Sequence, residues 1–287
     1  MALTVLDQPV WQSRRAAHEA RVDAWVAGHR ERVQHAIKHP VEDFLFTYYS
    51  FRPARLRRWH PGAGYVLRGV QGYGPGYRDV PDGSTVDVAT ILAHRHEGVA
   101  KIRQLLAGTR ERMGFFGCFG MHEWAMVYRQ TQDEIRHNAW PLRLSPARTA
   151  AVVEATTVRC SHFDAYRFFT PPARPLNLLS PTRESRADLE QPGCLHVNMD
   201  LYKWCYKLVP LIPSELTADC FALAREIRSL DMRASPYDLS ALGFDPIPVE
   251  TVAGRAQYAA AQRTFAEQAA PLRERLIAAI DTALENG

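Results

Sequence analysis

The chain has 287 residues, 46% of them hydrophobic and 23% charged, with a net charge of +4. That length is enough to bury a real core, the composition is that of an ordinary soluble globular protein, and so mild a charge bears on solubility rather than on function. No stretch approaches the roughly 20 apolar residues that a membrane span needs. The opening Met1–Val10 carries Asp7 early and lacks the apolar run of a secretory signal.

Five cysteines, at 118, 160, 194, 205 and 220, form no C-x-x-C pair and no zinc-ribbon spacing. An odd count without a leader is what free thiols in a reducing compartment look like, so a cytoplasmic protein without a membrane partner is expected. Of the 35 basic residues only Lys38, Lys101, Lys203 and Lys207 are lysines. Arginine grips phosphate and carboxylate through two parallel hydrogen bonds, although GC-rich coding alone also yields such a bias.

In chain order, Val22, Trp25, His29, Val33 and Ile37 recur at threes and fours and predict a first helix from Gln12 or Ser13 to about Lys38, stopped by Pro40. A shorter, more apolar helix is predicted from Val41 to before Pro53. The glycine- and proline-punctuated stretch 61–83 reads as a loop or irregular hairpin. A helix over 87–112 follows, with Val88, Ile91, Leu92, Val99, Ile102 and Leu106 on one face. His122 opens a predicted buried helix to Tyr128.

Ser145-Pro146 is a helix start with a side-chain cap and proline in the first turn. Residues 152–169 are ambiguous: Thr156, Thr157 and Val158 favour a strand. Ser180-Pro181 is expected to begin the next helix, and helices follow over 195–208 and 215–233. In the last of these Leu216, Cys220, Leu223, Ile227 and Leu230 form a packing seam. The tail, 252–284, reads as a long helix kinked or split by Pro271. With no repeat, low-complexity segment or clear linker, one mostly helical domain over 1–287 is expected.

The chain carries no G-x-G-x-x-G after a strand, P-loop, H-E-x-x-H, G-x-S-x-G elbow or EF-hand loop. Four stretches instead mix histidine, carboxylate and aromatic residues: 39–49, 122–124, 162–169 and 196–204. Such groups sit among bulky rings when they form a polar network or line a pocket. His196 and Asp200 are four apart on one helical face; His162 and Asp164 would share a side of a strand. The stretches around 122, 162 and 196 are expected on buried elements able to meet, and 39–49 is expected to supply walls. His122, His162 and His196 with Glu123 or Asp200 would suit zinc or non-haem iron. Asp231, set between Arg228 and Arg233, reads as part of a solvated salt-bridge network at a helix end.

The segments KHPVEDFLFTYYSFRPARLRRWHPG (38–62), GCFGMHEWAMVYR (117–129), CSHFDAYRFFTPPARPLNLLSPTRES (160–185), QPGCLHVNMDLYKW (191–204) and REIRSLDMRASPYDL (225–239) resemble, over nearly the full length, an actinobacterial family commonly labelled 3-methyladenine DNA glycosylase. The resemblance implies a DNA-repair hydrolase that excises alkylated purines from DNA without a cofactor; it brings no assigned catalytic residue with it. From the residues themselves, Glu123, His162 and Asp164 are the acid–base or cation-stabilising candidates. Tyr48, Tyr49, Trp124 and Phe168 would stack a flipped base, and Arg174 and Asn177 lie on a proline-stiffened loop of the kind that lines pockets. The competing expectations are a zinc- or iron-dependent enzyme using His122, His162, His196 and Asp200 on a small aromatic substrate, and a non-catalytic ligand-binding protein.

Overall fold

Helix accounts for 55% of the chain and strand for 7%, as the mostly α expectation requires. The computed structural model describes residues 3–135 and 137–287; Met1 and Ala2, which open the N-terminal stretch read above, and Arg136 lie outside the described residues. The chain divides into two compact units, each assembled from separated segments. One comprises Met1–Ala107, Asp200–Arg225 and Pro271–Gly287, the other Gly108–Met199 and Glu226–Ala270. Every boundary falls inside a helix (Val88–Glu111, Leu195–Lys207, Ser214–Arg233 or Val252–Glu285), so no linker composition marks them. Among the described residues no helix is long and apolar enough to cross a membrane.

The first unit holds a four-stranded sheet of β1 (Thr4–Leu6), β2 (Tyr65–Arg68), β3 (Tyr77–Val80) and β4 (Gly83–Val86) in the order β1-β2-β4-β3. β1 runs parallel to β2, while β4 pairs antiparallel with both β2 and β3. The hairpin expected within 61–83 is thus β3–β4 at the edge of a larger sheet. Only glycine fits at position 83, because a Cβ there would meet the Leu67 carbonyl oxygen at 1.9 Å. Trp11, Trp59 and Leu67 form a buried cluster with Tyr73 and Tyr77 packed against it. Both indole N–H groups are satisfied, Trp11 by the Arg68 carbonyl at 3.1 Å and Trp59 by Glu215 at 2.8 Å.

His60 is a buried histidine of this unit, its Nδ1 2.9 Å from the Tyr77 hydroxyl. Burial, with Arg58 and His18 adding to it, pushes the imidazole down to about 3. The unfolded chain therefore takes up this proton near the ordinary histidine value while the native state refuses it, so stability falls as pH drops from about 6.5 towards 3. At up to about 1.4 kcal/mol per pH unit, the loss between pH 6 and 4 should be roughly 2–3 kcal/mol. Urea titrations across that range should show a shallower pH slope for His60→Asn; identical slopes would remove His60 from the account.

Several helix ends depart from expectation for local reasons. The first helix is Gln8–Gln34, starting earlier because Pro9 occupies its first turn and stopping before Ala36, which adopts a positive φ of 53°. The apolar run after Val41 yields only Phe44–Tyr48, and the helix opened by Met121 stops at Ala125. Ser145 caps Pro146–Glu154 by accepting from the Arg148 amide at 3.4 Å. Ser180-Pro181 starts no helix. Thr182 and Ser185 instead exchange side-chain-to-amide hydrogen bonds at 2.8 and 3.2 Å, closing a turn, and the helix is Arg186–Leu189. Residues 156–158 contribute one bridge, Val158 to Asn177, rather than a strand. The tail helix, Val252–Glu285, continues through Pro271.

Candidate metal centre

In the second unit the chain gathers titratable groups from four segments. Gly120, with φ 68°, lets the chain turn sharply into the fully buried helix Met121–Ala125, which presents His122 and Glu123. His162 is the extended residue that precedes the short helix Phe163–Tyr166, and His196 lies in the first turn of Leu195–Lys207. Arg228 and Asp231, three apart, share a face of Ser214–Arg233. The His122 and His196 rings meet edge to face with centroids 4.3 Å apart, and His162 stacks on His196 at 5.3 Å.

Asp231 is the carboxylate at the centre of this group. Its Oδ1 stands 3.1 Å from His122 Nε2, and its Oδ2 3.3 Å from both His122 Nε2 and Arg228 Nη1. The same guanidinium donates to Glu123 Oε1 at 2.9 Å. Burial opposes charge on Asp231, yet His122, His196 and Arg228 together hold its carboxyl well below the usual range. Burial likewise works against a charged His122, but Asp231 outweighs it and raises the imidazole. One ligand atom from each of His122, His196 and Asp231 lies within 4.8 Å of the other two, all three residues being buried. Donor atoms about 2.0–2.2 Å from a metal ion stand about 3 to 3.5 Å from one another, so the His122–Asp231 pair already has the spacing of two ligands to one ion.

A cavity of about 20 Å³, space for one water-sized ligand, is bordered by His122, His196, Cys118, Cys160, Cys194 and the buried Tyr258. Burial pushes the Cys160 thiol up to about 12 and raises Cys118 and Cys194 as well, which keeps all three protonated and poorly nucleophilic at neutral pH. Gln262 Nε2 lies 3.2 Å from Cys118 Sγ.

The other residues singled out in the sequence take varied places. Asp164 is ion-paired with Arg186 and lies 3.7 Å from Arg167, and Glu123 is held by Arg228. His162 is fully buried with Nε2 3.8 Å from Glu190 Oε1. Trp124 is core, donating to the Ala234 carbonyl at 2.9 Å, and the half-buried Phe168 is covered by the Arg167 guanidinium at 4.4 Å. Arg174 is exposed. Asn177 is a brace: its side chain accepts from the Cys160 amide at 2.7 Å and donates to the Cys160 and Leu179 carbonyls at 2.9 and 2.6 Å, fixing the segment that leads into His162.

Tyr48, Tyr49 and Asp200 belong to the first unit. There Tyr48 stacks on Phe44 at 5.0 Å, and Asp200 accepts from the Tyr49 hydroxyl at 3.0 Å and from Lys203 at 2.5 Å. Asp231, Glu190 and the cysteine wall are the site residues that sequence reasoning did not select. For Asp231 the available signal was an acid set between Leu230 and Met232 beside an apolar seam, on the face that becomes buried. No protein-family model matches the chain, and neither the curated proteins nor the solved structures searched include a match.

Proposed function

We propose that the chain is a metal-dependent enzyme in which His122, His196 and Asp231 hold one zinc or iron(II) ion and a small molecule is turned over beside it. The observation that carries this reading is the convergence of two imidazoles and one carboxylate, all buried, with the two imidazoles bordering a cavity that has room for a single exchangeable ligand. Two histidines with one acid suit both ions, and when bound the ion would supply Lewis-acid chemistry at an open coordination position. The protein's own groups prepare that position. Arg228 fixes Asp231 and neutralises Glu123, while His162 braces the His196 ring.

A second reading, the alkylpurine DNA glycosylase implied by the sequence resemblance, is favoured by an open cavity of about 360 Å³ with Phe115 and Arg159 in its wall. Under that reading Glu123 and Asp164, both paired with arginine, would act on the sugar cation that develops as the base leaves.

Elemental analysis of protein purified without chelators should find zinc or iron near one equivalent in the wild type and a loss of most of it in His196→Phe. Metal absent from folded wild-type protein, and not taken up on reconstitution, would overturn the metal reading. Release of free base from methylated DNA that survives chelation would replace it with the glycosylase.

A further inference from the structure

The open cavity of about 360 Å³ in the second unit shares Arg159, Ser161 and Gln191 with the small cavity at His122 and His196. Its volume falls within the usual range for small-molecule sites, roughly 300–1,000 Å³. Whatever fills it abuts the wall of the candidate metal centre.

The lining is two-sided. Met113, Phe115, Leu179 and Leu189 make an apolar face, and Met113 stands 92% exposed at the rim, with Leu178, next to Leu179 in the chain, 67% exposed. Met113 thus leaves apolar surface in water at this cavity, available to the apolar body of a ligand. Opposite in character is Arg159, an exposed residue whose guanidinium rests 4.7 Å from the Phe115 ring centroid. That contact parks the cation without neutralising it, and among the described residues no carboxylate forms an ion pair with it. Arg112 adds a second positive charge; its guanidinium is anchored on the Glu190 carbonyl at 3.0 Å and on the Ala187 carbonyl, which fix its position but leave its charge uncompensated. Against these two cations stands one carboxylate of the lining, Asp188.

We infer that this cavity is the substrate site and that it selects a small anionic molecule with a flat apolar body. The body lies on the Phe115, Leu179 and Leu189 wall, and the anionic group takes the fork of Arg159. The inference deepens the metal-dependent reading and rests on it for the end of the molecule that reacts.

Three probes separate the parts: 2-naphthoate, its neutral isostere 2-naphthamide, and inorganic phosphate, titrated by ligand-observed NMR into protein as purified and after chelator treatment. Wild type should bind 2-naphthoate at least tenfold more tightly than the amide, and phosphate should not displace it. Arg159→Ala should lose tenfold or more for the acid and nothing for the amide, with its melting temperature unchanged because the side chain is exposed. Arg159→Lys should fall between, having charge but no fork. Equal binding of acid and amide, full acid affinity in Arg159→Ala, or a carboxylate preference that disappears with the metal would each overturn the inference. Failure of the metal reading alone would be seen separately, as absent metal with the arginine-dependent preference intact.

Discussion

Zinc added to metal-free protein should raise its melting temperature by roughly 8–16 °C. An ion present at a thousandfold excess over its dissociation constant stabilises the native state by about 4 kcal/mol, and a chain of this size gains roughly 2–4 °C per kcal/mol. The effect should be large here because the donor atoms are already close: His122 and Asp231 stand 3.1 Å apart, and little rearrangement is needed to bring His196 to the same point. His196→Phe keeps a flat ring between His122 and His162 but removes the ligand nitrogen. It should melt near the wild-type metal-free temperature and lose the zinc-dependent rise. A structural reading of the same cluster, in which His122 and Asp231 are simply a buried ion pair, gives a different result: no metal-dependent shift in either protein. Scanning calorimetry with zinc, cobalt(II), manganese(II) and, under anaerobic conditions, iron(II) decides between them, and the absence of a shift with all four would sink the centre.

Much of the scaffold was legible locally, and the places where legibility fails are instructive. The four-three-four-three seam from Leu216 to Leu230 and the Ser145-Pro146 cap specify their helices because spacing and capping are properties of a few neighbouring residues. Ser180-Pro181 offers the same cap signal, yet the reciprocal bonding of Thr182 and Ser185 satisfies the backbone as a turn, and no helix forms until Arg186. The run 44–49 is apolar enough for a helix but closes after five residues, short of the length at which helices hold without tertiary support. At the site, histidines in an aromatic context announce themselves, so His122, His162 and His196 could be named from sequence alone. Asp231 draws notice in the sequence but is set aside, since arginines at −3 and +2 read as a solvated helix end. Only the fold reveals that Arg228 turns inward to bridge two carboxylates. Tyr48, Tyr49 and Asp200 fall in the first unit, and helix Leu195–Lys207 runs from His196 in one unit to Asp200 in the other.

Removing that bridge should be the most destabilising single change at the site. Arg228 is 2% exposed, Asp231 0% and Glu123 7%, so Arg228→Met would leave two carboxylates in a low-dielectric interior with one fewer cation. Asp231 would retain His122. Glu123 would have only the more distant His122, 4.0 Å away. Stripping a buried ion of its partner costs about 3–5 kcal/mol, whereas replacing the whole group by neutral residues of similar shape is often close to neutral. Chemical denaturation at pH 7 should therefore show Arg228→Met less stable than wild type by about 3–5 kcal/mol. Adding Glu123→Gln in the same protein should restore roughly half, because the uncompensated charge is gone while the volume is kept. A loss below about 1 kcal/mol in the single variant, or no recovery in the double, would mean that the three groups are solvated side chains rather than the buried frame that holds Asp231 towards His122.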